Sequence, residues 1–242
     1  MDVELEKRAD GVAIVMLNRP HVLNALDIAA KETLGAIWTE VAADKRVRAI
    51  LLHGAGPRAF CAGSDVKEIE RTGKMVSTEI LMRAIPGVGI ELDKPVVAAL
   101  HGHVLGMGLT LALHCDLRVA QKGAKLAFPE AQKGMLSGVS ALRLADVVGP
   151  GKALEYLLLG EIIPLEEAAR VGLANTVVDD AFGAADEWAR KIARAPADAI
   201  QASKRLSSFR RNLSKRERDI IAQMRDRVEG AGAFRVRPDN AR

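Results

Sequence analysis

Two glycine-bearing turns carry the chemistry this chain can offer through its backbone. One reads His101-Gly102-His103-Val104-Leu105-Gly106-Met107-Gly108 and opens into the apolar run 109–113. Where such a turn leads from a strand into a helix, the first N–H groups of the helix have no intrahelical acceptor. They can hold an anion, or an oxyanion that develops during a reaction. The other reads Ala62-Gly63-Ser64-Asp65-Val66, at the point where an apolar start at Ala59 becomes helix-like. Ser64 is not read as a nucleophile, because the G-x-S-x-G pattern is absent and no base stands beside it. Either turn alone reads equally well as a tight structural connection.

Few side chains compete with these turns. Glu130 follows Pro129 and, on its own, reads as a surface carboxylate at a helix start. Thr110 reads as a helical residue whose hydroxyl bonds back to its own backbone. His101, His103 and His114 lack metal-ligand spacing, and His103 is the one nearest a candidate site. Cys61 and Cys115 are the only two cysteines, both in apolar surroundings, and read as reduced core thiols without metal-ligand spacing.

The elements that must position these groups follow from periodicity and punctuation. Residues 3–8 and 12–17 make a hairpin around Ala9-Asp10-Gly11. Asp27 caps a helix running to Ala43, with Ile28, Leu34, Ile37, Trp38 and Val41 on one face. Residues 49–53 and 96–100 are short apolar strands of the buried kind, the latter leading into the central turn. Residues 116–120, 124–128 and 176–178 are extended. Helices are expected over 76–85, 139–148, 150–159 with Gly160 closing, and 165–171. The last sixty or so residues read as helical throughout. Faces form from Ala184, Ala185, Trp188, Ala189 and Ile192, then from Ala199, Ala202, Leu206 and Phe209, then from Ile221, Met224 and Val228. The alternation of strands and helices predicts an α/β fold with a mostly parallel sheet.

Composition sets the outer limits. The chain has 242 residues, 49% hydrophobic and only 3% aromatic, so its core is built from Ala, Leu, Ile and Val. No run is long enough to span a membrane, and the charged start lacks a signal-peptide core, which together predict a cytoplasmic protein. The formal charge is +4, yet residues 201–242 hold twelve Lys/Arg against five Asp/Glu. That basic segment could face an anionic ligand, a nucleic acid or water. Only Phe209 and Phe234 stand among these charges, too few to interleave them as stacking platforms, so nucleic acid is the weakest of the three.

Four stretches together resemble the enoyl-CoA hydratase/isomerase, or crotonase, superfamily: Asn18-Arg19-Pro20 with Asn24-Ala25-Leu26, residues 59–69, residues 101–116, and Phe128-Pro129-Glu130. Gly160 and Ala168-x-x-x-Gly172-Leu173-Ala174 continue the likeness along nearly the whole chain. The resemblance implies a crotonase-type spiral of repeated β-β-α units forming two sheets. It implies an acyl-CoA-binding core over 1–194 and a helical oligomerisation region over 195–242, in homotrimers that pair into hexamers. It implies acyl-CoA substrates and no separate cofactor, since CoA arrives with the substrate. The amides of Ser64 and Met107 become the donors to the thioester oxygen, 43 positions apart, with Met107 standing where the family often has glycine. The backbone of Ala62, Asp65 and Val66 falls where the family binds the adenine end of CoA, and Gly106, Gly108 and Thr110 surround the second donor.

Hydratases of the superfamily carry two glutamates. Here the first position is Thr110 and the second is Glu130, and the loop 135–140 departs from the usual glycine-rich form. One carboxylate is enough to shuttle a proton from the α-carbon to the γ-carbon, whereas adding water is work that two carboxylates share. The expectation is therefore a single-glutamate 3-enoyl-CoA to 2-enoyl-CoA isomerase. Alternatives are a hydratase in which Thr110 and water replace the first glutamate, a non-catalytic acyl-CoA binder, and an RNA-binding member.

Overall fold

The computed structural model of the chain describes residues 1–73, 76–207 and 215–229. Phe209, and the side chains of Met224 and Val228, lie outside what is described. The larger sheet has six strands in the order β1 (Val3–Lys7), β2 (Val12–Leu17), β3 (Ala49–Gly54), β5 (Val96–Leu100), β7 (Leu117–Gln121) and β9 (Thr176–Val178). Only the β1–β2 hairpin is antiparallel; every other pair is parallel. The parallel strands are continuous apolar runs because both faces of the sheet are covered.

One face packs on α1 (Ile28–Ala43) and the main core, in which Trp38 is fully buried. The indole N–H of Trp38 donates to the Ala84 carbonyl at 2.8 Å, which ties α1 to α3 (Thr78–Ala84). The other face packs on α8 (Ala181–Arg194). Ala181, Ala185, Ala189 and Ala193 form a buried stripe there, and their small side chains let the helix lie close on Ile14, Leu51 and Val97.

A smaller sheet has the order β4 (Ala59–Cys61), β6 (His103–Leu105) and β8 (Lys125–Ala127), all parallel. Each turn of the spiral therefore runs through a strand of the large sheet, a strand of the small sheet and a helix. These helices are α2 (Val66–Thr72), α4 (Met107–His114) and α5 (Gly138–Val148). This is the repeated β-β-α architecture expected of the chain. One element departs from the sequence reading: residues 103–105 form a strand, where a turn was expected. Three residues are too few to show a period, and two glycines flank them.

α6 (Pro150–Leu159), α7 (Leu165–Arg170), α9 (Ala197–Ser207) and α10 (Lys215–Glu229) complete the described chain. α9 is fastened by Lys204, whose ammonium pairs with Asp116 at 2.8 Å, and by the Arg205–Asp93 ion pair. α10 packs on α5, with Ile221 buried against Gly138. Among the described residues no helix is long and apolar enough to cross a membrane.

Candidate active site

The three strands of the small sheet end side by side, so the segments that leave their carboxyl ends meet. Ala62-Gly63-Ser64 follows β4, Gly106-Met107 follows β6, and Pro129-Glu130 follows β8. Binding crevices in α/β proteins form at this end of parallel strands. All seven of these residues line one cleft of about 890 Å³, its open mouth included.

Close contact sets the spacing between the first two segments. A Cβ on Gly63 (φ +114°) would lie 3.3 Å from the Leu105 carbonyl oxygen and 3.8 Å from the Met107 nitrogen. A Cβ on Gly108 would lie 2.2 Å from the Cys61 carbonyl oxygen, closer than any two such atoms can sit. The end of β4 thus rests directly on the first turn of α4. The amides of Ser64 and Met107 donate to no described protein group. Two unsatisfied donors on adjoining turns, one at a helix N-terminus, can bind an oxygen that gains negative charge.

The loop 18–27 holds this arrangement from behind. Arg19 pairs with Asp27 at 3.0 Å and with Asp65 at 3.1 Å, and those aspartates cap α1 and α2 through the Ala30 and Glu68 amides. Asn24, left-handed at φ 56° and almost fully buried, donates to the carbonyls of Ala55 and Ala59. Leu26 is bridged to Ser64: its N–H donates to Gly63 and its carbonyl accepts from Asp65.

Glu130 stands beside the second donor. Its Oε1 lies 3.3 Å from where a Gly106 Cβ would be, so the carboxylate rests close against the Gly106 backbone. Its Oε2 is shielded from solvent and has no hydrogen-bond partner among the described residues. Burial raises the pKa of Glu130, and the Ser137 hydroxyl and the Lys133 charge oppose that shift. A desolvated carboxylate facing a cleft is suited to accepting and returning a proton.

Thr110 lines the cleft without being available for chemistry. It is 4% exposed; its hydroxyl donates to the Gly106 carbonyl at 3.1 Å and meets the Ser140 hydroxyl at 2.5 Å. Thr110→Val is expected to leave the buried Ser140 hydroxyl unsatisfied and to cost about 1–3 kcal/mol of stability. Turnover should change far less than on loss of the base. A thermal melt beside a rate measurement checks this, and a loss of rate comparable to loss of Glu130 would overturn it.

Of the residues expected to contact substrate, Ala62, Val66, Gly106 and Thr110 line the cleft with Ser64, Met107 and Glu130, while Asp65 and Gly108 do not. The Asp65 carboxylate is taken by Arg19 and the α2 cap, and Gly108 is pressed on Cys61. His103 is on β6 outside the cleft, and His101 bonds the Gly56 carbonyl. Cys61 and Cys115 are free and buried, and burial pushes both thiols up to about 12.

Sequence reasoning missed several cleft residues. Ile28, Ile69, Val76, Leu81 and Ile85 form an apolar wall. Ser137, Ser140, Glu68 and Lys31 are polar members of the lining. Lys31 had left a signal, because it falls between Ile28 and Leu34 on the apolar stripe of α1.

The profile of the Enoyl-CoA hydratase/isomerase family matches residues 7–230. The chain belongs to that family. It is 33% identical to (E)-benzylidenesuccinyl-CoA hydratase of Thauera aromatica, over 97% of this chain and 96% of that one. It is 35% identical to short-chain-enoyl-CoA hydratase of Clostridium acetobutylicum, over 84% and 79% of the two chains. Among solved structures, carnitinyl-CoA hydratase from Mycobacterium avium superposes with a TM-score of 0.86 at 29% identity, covering 96% and 92%. This family member is accordingly a crotonase-fold enzyme acting on acyl-CoA thioesters.

Proposed function

We propose that this family member is a single-glutamate enzyme that moves the double bond of a 3-enoyl-CoA to the 2-position. The observation that supports it is the buried Glu130 carboxylate beside the Met107 amide, with a hydrogen-bonded threonine where a hydratase would place a second acid. Glu130 takes the proton from the α-carbon. The thioester oxygen gains charge and is held by the N–H groups of Ser64 and Met107. Glu130 then returns the same proton to the γ-carbon, and the double bond settles between the α- and β-carbons. No water is consumed and no cofactor beyond the CoA of the substrate takes part.

Hydration is the second reading, favoured by the hydratase names of the similar proteins. One carboxylate would then take a proton from water as the water adds to the β-carbon, and pass it to the α-carbon. Turnover of 3-enoyl- and 2-enoyl-CoA thioesters of matched chain length separates the two. Faster isomerisation supports the first reading; faster hydration, lost with Glu130, installs the second.

Two further features belong to this reading. The buried, protonated thiols of Cys61 and Cys115 suit the reducing cytoplasm. Exposed Leu154, Leu158, Leu159 and Ile162, together with Leu206 at 79% exposure, suit a homotrimer or a dimer of trimers, with α9 and α10 as the described part of the oligomerisation region expected over 195–242, of which residues 208–214 and 230–242 lie outside what is described. Light scattering at micromolar concentration should return three or six chains, and a monomer would sink the assembly.

A further inference from the structure

The start of α5 holds a serine that the helix does not use. Ser137 occupies the N-cap position, where a serine hydroxyl usually accepts from an amide of the first turn. Here the side chain makes no such bond, although the Ser137 carbonyl accepts the Ala141 amide at 2.9 Å. The residue is half-buried and lines the cleft with Glu130. The chain between the two folds back on itself. The Glu130 carbonyl accepts from the Lys133 amide at 2.9 Å and from the Met135 amide at 3.0 Å. That loop returns residue 137 to the wall in which residue 130 stands.

The other hydroxyls of the lining are committed or distant. Thr110 donates to the Gly106 carbonyl, so its oxygen accepts the Ser140 proton, and both hydroxyl protons are spent. Ser64 follows β4, Glu130 follows β8, and β6 lies between those strands. Two inter-strand spacings, about 10 Å, therefore separate the two backbones. Of the charged groups in the lining, Lys31 bonds the Leu26 carbonyl and Glu68 bonds the Ile28 amide, while Lys133 is exposed and acts on Glu130 through its charge. The donors that favour the charged form of Glu130 are its own amide and the Ser137 hydroxyl. Oε2 keeps no hydrogen-bond partner among the described residues.

We propose that Ser137 is a positioning residue for the proton shuttle: its hydroxyl holds the Glu130 carboxylate in one rotation and leaves Oε2 free for the substrate proton. The inference rests on Glu130 as the proton carrier, as read above. A buried carboxylate without such a donor turns about its last bond and presents either oxygen, or neither, to the α-carbon. A hydroxyl donor also favours the charged form, so the base is available at a lower pH than burial alone would allow.

Ser137→Ala removes the hydroxyl and costs α5 no cap bond, so the full chain should fold as wild type does. Its acid limb of kcat/KM, on whichever enoyl thioester the wild type turns over, should rise by about one pH unit. On the plateau kcat should fall about ten-fold with KM nearly unchanged. Infrared difference spectra across pH read the protonated Glu130 carboxyl without any substrate, identified by its absence in Glu130→Gln. The midpoint of that band should rise with the acid limb. Ser137→Thr keeps the hydroxyl and should restore both readouts. Ser137→Gly repeats the test should the alanine variant not fold. An infrared midpoint unmoved in Ser137→Ala, or moved equally in Ser137→Thr, or a loss confined to KM, would overturn the inference. Failure of the isomerase reading shows elsewhere, as absent turnover of 3-enoyl thioesters with the infrared shift intact.

Discussion

Glu130→Gln is expected to lower turnover by about 10²–10⁴-fold, the usual worth of a general base, with fold and CoA binding intact. The amide matches the carboxylate in shape but cannot take the α-proton. Because burial raises the Glu130 pKa, the acid limb of kcat/KM in the wild type should lie above 4.5, its ordinary value, and should vanish in the variant. The same shift has a consequence for stability. The folded state holds this proton more tightly than the unfolded chain, so the carboxyl contributes most below pH 4.5, and that contribution is lost as pH rises through the folded pKa. Glu130→Gln removes this dependence. It should melt higher than wild type at neutral pH, with the difference closing in acid. Undiminished turnover in the variant would defeat the single-base mechanism. A melting difference unaffected by pH would show that the carboxyl is not desolvated as described.

Gly108→Ala is expected to cost about 10²–10³-fold in turnover, comparable to losing an oxyanion donor, although residue 108 does not line the cleft. The added methyl would meet the Cys61 carbonyl oxygen at 2.2 Å, where ordinary contact begins near 3.4 Å. Backbone meets backbone there, so α4 and the end of β4 must separate, and the Ser64 and Met107 amides with them. A β-branched residue would worsen the same clash and endanger the fold; alanine is the informative choice. Gly151→Ala, with nothing within 4 Å of its added carbon, is the control for a changed glycine elsewhere. A folded Gly108→Ala with kcat close to wild type would show that the spacing of the two turns does not matter to the reaction. A fall confined to KM would place the damage in binding.

Much of this molecule was legible before folding was considered, for local reasons. Asp27 as the cap of α1, the hairpin of β1 and β2, the alanine stripe of α8 and the apolar strands of a two-faced sheet depend on neighbours a few residues away. The glycine turns belong with them, since a φ of +114° at Gly63 is something only glycine adopts freely. The bland reading of Thr110, a hydroxyl bonded back to its own helix, also follows from a four-residue spacing. What only the tertiary structure decided depends on residues far apart in the chain. The small sheet is made of three-residue strands, of which the sequence showed only 124–128 as extended, and their parallel pairing brings residues 62–64, 106–107 and 129–130 to one edge. Ser140 reaches Thr110 across thirty positions, and Arg19 takes the Asp65 carboxylate across forty-six, buttressing the turn from behind. Lys31 follows the same logic. Its place on an apolar stripe is visible in the sequence, but the cleft it faces exists only once α1, α2 and the small sheet have closed around it.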